Sequence, residues 1–331
     1  MPGTYDPRSV GPSPLAGPRG AAALHRAIAR WYADHARALP WRDPECSPWA
    51  VLVSEVMLQQ TPVSRVEPVW RRWLDSWPTP AQLATASPAD AIRAWGRLGY
   101  PRRALRLLEC ARLIVERHHG DVPRTRGELT ALPGVGDYTA SAVLAFGYGE
   151  RSVVLDTNVR RVLARVLAGQ ALPAPHLGAT ERARATEVLP RQPARAAAWG
   201  VGVMELGALV CTATSPDCAG CPLTRHCAWY QAGLPADDGP RRRVQSWAGS
   251  DRQVRGLVMA ALRESAEAIP YPQLAALLDG GAERFDRCLA SLVTDGLVQS
   301  VTGAGGSGPA TGRRGLNLGA YRLPNGPSHL S

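Results

Sequence analysis

The sequence contains no lysine, so all 38 of its strongly basic residues are arginine. Chemistry that needs a side-chain ε-amine, above all Schiff-base formation, is closed to it; the terminal amine could substitute only from a Pro/Gly-rich leader. No run approaches the roughly 18–20 apolar residues that span a bilayer. Residues 1–20 hold no apolar core behind a charged start, so no secretory signal is visible. The expectation is a cytoplasmic protein with no membrane partner, where thiols stay reduced and clustered cysteines suggest a metal rather than disulfides. Acidic residues are outnumbered as well: the net charge is +10 and the sequence pI about 9.7. A coding bias that replaces lysine by arginine explains the first absence. The charge excess suits a polyanion such as DNA, because arginine pairs bidentately with phosphate and releases counterions.

At 331 residues the chain can bury one sizeable core and a second, smaller one. From about Ala22 to Trp229, amphipathic stretches of helical length are separated by Pro and Gly, and strand-like alternation is rare. That pattern predicts a mostly α domain. Residues 1–21 and 324–331 read as tails, 22–230 as the main domain, and 231–250 as a charged, Pro-containing linker. Residues 251–323 read as a small second domain, with helices over Val254–Ser265, Pro272–Leu278 and Ala282–Asp295. Strands over Leu297–Val301 and Leu316–Leu323 then flank a Gly-rich loop. The order is winged-helix-like, although a packing domain without a role of its own would show it too.

Four of the seven cysteines follow the spacing Cys211-x6-Cys218-x2-Cys221-x5-Cys227. Four thiolates so close in sequence can converge on a [4Fe–4S] cluster. A structural zinc site also accepts four sulfurs, usually as two short pairs, and only one short pair is present. The 6-2-5 spacing matches the cluster loop of endonuclease-III-like glycosylases. Cys46, Cys110 and Cys288 stand alone and read as packing residues.

Leu132-Pro133-Gly134-Val135-Gly136 lies between helical stretches over Thr125–Ala131 and Asp137–Gly147. Two glycines allow a tight turn, and the exposed N–H groups of Leu132, Gly134, Val135 and Gly136, with the following helix start, suit a phosphate oxygen. This is a helix-hairpin-helix pattern, which ordinary helix–helix turns can share. Asp156 follows Val153-Val154-Leu155 and precedes a helical run, Thr157–Leu167, where it fits an N-cap. Glu55 lies in Trp49–Gln60 among Leu52, Val53, Val56 and Met57. An acid on so apolar a helix either faces solvent or is paired or proton-bearing.

The run Ser54-Glu55-Val56-Met57-Leu58-Gln59-Gln60-Thr61 resembles the catalytic motif of the MutY-type adenine DNA glycosylases. Leu39-Pro40-Trp41-Arg42, Leu98-Gly99-Tyr100, Asp156 to Val162 and Met204-Glu205-Leu206-Gly207-Ala208 extend the likeness from about Ala22 to Trp229. The resemblance implies a helix-hairpin-helix glycosylase fold with an iron–sulfur loop over 211–227, and double-stranded DNA carrying an adenine mismatch as partner. It implies that Glu55 is the general acid/base, donating a proton to flipped adenine, and that Asp156 stabilises the oxocarbenium-like sugar with Tyr138 supporting both. Trp41, Arg42, Leu58, Asn158 and Glu205 would bind adenine, while Gln60 and Tyr100 would enter the duplex. Tyr138 stands where the endonuclease III branch carries its Schiff-base lysine, so a monofunctional, monomeric enzyme that leaves an abasic site is expected.

The sequence departs from the family in two places. The residues after Trp229 show no resemblance to the Nudix-like domain that many members carry, which weakens the expectation that 8-oxoguanine is preferred opposite the adenine. The loop between Cys211 and Cys218, often basic in the family, is Thr-Ala-Thr-Ser-Pro-Asp, leaving Arg225 and His226 as the candidate phosphate contacts. Two other readings stay open at this point. One is a mismatch thymine or uracil glycosylase of the same fold, and the other is a non-catalytic iron–sulfur DNA-binding regulator.

Overall fold

The computed structural model describes residues 18–236, 250–278, 281–301 and 319–325. Most of the N-terminal tail, the middle of the expected linker, the Gly-rich loop and the start of the last expected strand lie outside them. Helices α1 (Pro18–His35), α2 (Pro48–Leu58), α3 (Val63–Ser76), α4 (Pro80–Ala84) and α5 (Pro88–Trp95) come first. They are followed by α6 (Arg102–His118), α7 (Arg126–Thr130), α8 (Asp137–Ala142), α9 (Thr157–Ala168) and α10 (Ala179–Glu187). Then come α11 (Pro193–Leu209), α12 (Ala228–Gln231), α13 (Asp251–Glu264), α14 (Tyr271–Ala275) and α15 (Ala282–Thr294). The described strands are β1 (Ile269–Pro270), β2 (Gln299–Val301) and β3 (Ala320–Arg322). The mostly α reading holds, and α1 begins at Pro18, inside the stretch that reads as a tail.

The chain divides into two compact units. The first comprises residues 1–51, 124–130 and 135–241. Its core joins Leu24, Ile28 and Trp31 of α1 to Val159, Val162 and Val166 of α9 and to Trp199, Val203 and Leu206 of α11. Glycine sets how closely these helices approach. A Cβ at Gly202 would lie 2.5 Å from Ile28, and one at Gly207 would lie 2.7 Å from the Asn158 Cβ. Asp156 caps α9, accepting from the Val159 N–H, and Gly169 ends it in the left-handed region at φ 64°. After α8 the helix widens into a π-turn over Val143–Gly147, where a Cβ at Gly147 would press on the Pro48 backbone at 3.1 Å.

The second unit comprises 52–123, 131–134 and 242–331. Thr79 and Gln82 form a capping box at the start of α4, and Ser87 caps α5. Its core runs without a break from Ala89, Ile92 and Leu105 to Val254, Val258, Leu262, Phe285, Leu289 and Tyr321. The C-terminal elements therefore share a core with α5 and α6. Their sheet has the order β1-β3-β2, antiparallel throughout, with Ile269 opposite Tyr321 and Ser300 opposite Tyr321 on the other side. β1 is the element that the sequence pattern missed, because two residues are too few for alternation to register. The helix read over Pro272–Leu278 is the shorter α14, which starts one residue earlier with Pro272 in its first turn and ends at Ala275, where Leu277 and Leu278 pass into tighter turns on the Leu274 and Ala275 carbonyls.

Candidate active site

Glu55 sits near the middle of α2 and is 5% exposed, so the solvent-facing alternative is excluded. The helix is apolar all round: Val51, Leu52, Val53, Val56 and Met57 are each at most 2% exposed. Leu58 closes it half-exposed, and the chain turns at Gln60, a non-glycine residue at φ 57°.

Asp156 belongs to a hydrogen-bonded set within the first unit. Its Oδ1 accepts from the Val159 N–H at 2.6 Å and its Oδ2 from Asn158 Nδ2 at 2.9 Å. Arg161 Nη2 in turn donates to Asn158 Oδ1 at 2.8 Å and to the Gly207 carbonyl at 2.6 Å, while its Nε donates to the Cys211 carbonyl at 2.8 Å. Desolvation pushes the Asp156 carboxyl above the usual aspartate range, opposed by the Val159 and Asn158 hydrogen bonds and the Arg161 charge.

Glu205, in α11, is fully buried and doubly engaged. Oε1 accepts from the backbone N–H and Nε of Arg37, and Oε2 from Arg37 Nη2 and Arg42 Nη2, both at 2.7 Å. Burial acts to raise its carboxyl, but these donors outweigh it and hold it at about 2. Arg42 also lies 5.8 Å from the Tyr32 ring, beside buried Trp41. Tyr138 packs on Ala142, Ala145 and Val154 together with Phe146 and Met204, which places it against the residues leading into Asp156 and Glu205.

In the hairpin, Gly134 has φ 80°, and a Cβ there would meet Arg106 at 3.3 Å. Gly136 adopts extended backbone at φ −93°, with nothing within 4 Å of a would-be Cβ. Only the first glycine is conformationally required, and Leu132 and Val135 are buried anchors. The four cysteines 211, 218, 221 and 227 line one cavity and form no disulfide. Among the described residues no three metal-ligating side chains already form a cage. Buried Arg165 donates to Cys211 Sγ (3.2 Å), to the Thr212 and Ala213 carbonyls, and lies 4.4 Å from the Trp229 ring. Asp217, the departure from a basic loop, accepts from the Gly220 N–H and shapes the turn between Cys218 and Cys221. Cys110 and Cys288 are buried as packing residues should be, whereas Cys46 is only half-buried.

A family model described as HhH-GPD superfamily base excision DNA repair protein matches residues 53–186. The adenine DNA glycosylase of Mycobacterium tuberculosis is 50% identical over 269 residues, covering 81% of this chain and 88% of that protein. The chain belongs to the adenine DNA glycosylase family. A thymine/uracil-DNA glycosylase from Pyrobaculum aerophilum is also similar, at 38% identity over 209 residues, 62% of this chain and 90% of that protein. Among solved structures, an endonuclease III–DNA complex shares the fold, with TM-score 0.56, 22% identity, and coverage of 65% of this chain and 97% of that one.

For an adenine DNA glycosylase the arginines that act as structural donors were the part that sequence reading missed. Arg37, Arg103, Arg161 and Arg165 hold carboxylates, carbonyls and one thiol, and three of the four are under 9% exposed. The available signal was spacing: Asn158, Arg161 and Arg165 recur at i, i+3 and i+7 on one face of α9. In a chain where every cation is arginine, a structural one does not stand out. Within the first unit the structure joins some of the motif residues. Asp156, Asn158 and the Gly207 carbonyl meet through Arg161, and Arg42 meets Glu205.

Proposed function

We propose that this protein is a monofunctional adenine DNA glycosylase of base excision repair, acting on adenine opposite 8-oxoguanine or guanine in double-stranded DNA. The observation that carries this is Glu55: an acid buried on an apolar helix, in the motif position of a chain that belongs to this family. Glu55, buried on α2, donates a proton to N7 of adenine flipped from the stack. The C1′–N9 bond breaks, the electron pair leaves with the purine, and the positive charge developing on the sugar is met by ionised Asp156. The Val159 N–H and Asn158 fix the orientation of that carboxylate. Water adds at C1′ and gives its proton to the Glu55 carboxylate, which restores the acid.

The remaining residues support that chemistry. Glu205 acts by holding Arg42 beside Trp41 and by keeping Arg37 in place, since both its oxygens are already occupied. Leu58 and Asn158 each contact adenine, Tyr138 has a supporting role, and Gln60 and Tyr100 enter the duplex. The N–H groups of Leu132, Gly134, Val135 and Gly136 receive a phosphate oxygen, as do Arg225 and His226. The winged-helix-like residues, 251–323, pack on α5 and α6, and the protein works as a monomer in the cytoplasm at the nucleoid.

Cys211, Cys218, Cys221 and Cys227 suit a [4Fe–4S] cluster: they line one cavity, are free of disulfides, and have Arg165 to offset thiolate charge. Such a cluster would supply cross-linking, replacing the core that residues 211–227 are too few to build.

The test is a glycosylase assay on duplexes holding A·8-oxoG, A·G, A·C, T·G and U·G. Adenine release from the first two, lost by at least 100-fold in Glu55→Gln, is the expected result. Full activity in Glu55→Gln overturns the mechanism. Activity on T·G or U·G alone favours the reading suggested by the Pyrobaculum relative. A borohydride-trapped enzyme–DNA adduct in quantity argues against the monofunctional assignment.

A further inference from the structure

The loop after α2 and the loop before α6 share an unusual property. Gln60 (φ 57°) and Tyr100 (φ 48°) are non-glycine residues in the left-handed region, where Cβ crowds the backbone. A residue persists there only when its surroundings over-determine it. Tyr100 is also 53% exposed, the most exposed large apolar side chain among the described residues, and Gln60 is exposed immediately before buried Thr61.

Beneath both loops lies Arg103, 7% exposed. Its Nη1 donates to the carbonyls of Val56 and Met57, each at 3.0 Å, and of Gln59, closing the C-terminal end of α2. Its Nη2 donates to Thr61 Oγ1 at 3.0 Å and to the Gly99 carbonyl at 3.1 Å. The guanidinium carbon sits 5.2 Å from the Trp95 ring and 5.4 Å from the Tyr100 ring. Direct ties reinforce it: Thr61 Oγ1 to the Leu98 carbonyl, Trp95 Nε1 to the Gly99 carbonyl, and Arg65 Nη2 to the Arg97 carbonyl. All of these residues lie within 52–123 of the second unit.

We propose that Arg103 is the positioning residue that locks the Gln60 and Tyr100 loops into one wedge, so that both side chains enter the duplex together as the base is extruded. The inference rests on the reading of the chain as an adenine glycosylase. The two terminal nitrogens of the planar guanidinium serve five oxygens on two loops, while Nε has no partner among the described residues; an ammonium brings only three donors to the same oxygens. Because the loops are fixed beforehand, no ordering cost is added at the moment the base leaves the stack. Desolvation lowers the Arg103 guanidinium to about 10, so it keeps its charge throughout the neutral range.

The test compares wild type with Arg103→Lys and Arg103→Met on two substrates under single turnover. One is a duplex with adenine opposite 8-oxoguanine; the other carries the adenine as a bulge with no partner, where extrusion is cheap. Arg103→Lys should slow excision about 30-fold on the paired duplex and less than about threefold on the bulge, with KM for the duplex raised. A merely structural loss lowers both rates equally and overturns the proposal, as does an unchanged paired-duplex rate. If wild type releases no adenine, the functional reading fails instead. In that event 2-aminopurine at the target position still reports the wedge: a fluorescence rise on binding that Arg103→Lys lacks supports it, and an equal rise in both overturns it.

Discussion

Glu205 shows how much of the site's geometry is decided by single side chains. Its carboxyl is held at about 2, against an ordinary value of 4.5, by Arg37 and Arg42 acting against burial. A depressed carboxyl contributes stability that is complete above the unfolded value and disappears as pH falls through the folded one. The urea midpoint of wild type should therefore exceed that of Glu205→Gln at pH 6, and the gap should close between about pH 4.5 and 2. Asp156 is the opposite case, since burial raises its carboxyl. A raised carboxyl favours folding at low pH and opposes it once ionised, so Asp156→Asn, which keeps an N-capping side chain, should melt roughly 2 °C or more above wild type at neutral pH. The same variant should lose glycosylase activity by at least 100-fold, the trade expected where an active site holds a charge that folding would rather exclude. In the wild type the acid limb of the rate profile should lie above the ordinary aspartate range. Arg161→Gln, by removing a charge that stabilises the carboxylate, should move that limb higher. A limb unmoved by this change would show that Asp156 is not the group being titrated.

The element scale explains why the motif Met204-Glu205-Leu206-Gly207-Ala208 has its composition. Gly207 lets α11 approach the start of α9 so closely that an added Cβ would lie 2.7 Å from the Asn158 Cβ and 3.0 Å from its carbonyl oxygen. Gly207→Ala should cost about 1–3 kcal/mol of stability, read as a fall in Tm of roughly 3–8 °C. It should also slow excision, because Asn158 must shift away from Asp156. Sequence reading recovered α9 to within one residue of its end and its aspartate cap, since the cap, the apolar periodicity and Gly169 all agree. It could not show that Arg161 and Arg165 on the same helix point inward, because an arginine that serves backbone carbonyls has no partner visible in the sequence. Arg165→Met should strand the Thr212 and Ala213 carbonyls and the Cys211 sulfur, and limited proteolysis should then cut first within 211–227. Retained resistance in that loop would show that the cysteines alone hold it.

For the whole molecule, the instructive boundary is the one near residue 250. Composition reads 251–323 as a domain of its own, and its helices lie close to where the periodicity puts them. In the structure those residues complete a core begun by Ala89, Ile92 and Leu105, and Asp295 binds both Arg102 of α6 and Arg255 of α13. A chain ending at residue 236 should lose cooperative unfolding and expose Ile92 and Leu105, seen as dye binding and aggregation on heating. The sequence by itself determined the local facts: the helices, the aspartate cap, the cysteine spacing, the family motifs, and the absence of any lysine for a Schiff base. These depend on residue type and short spacing, which the linear order displays. Only the tertiary structure decided that Glu55 is buried rather than solvent-facing, that Glu205 is bound to Arg37 and Arg42, and that four arginines act as internal struts. Burial and long-range hydrogen bonds join residues far apart in the chain, as Arg37 and Glu205 are, and no periodicity records which distant carbonyl or carboxylate an arginine will meet.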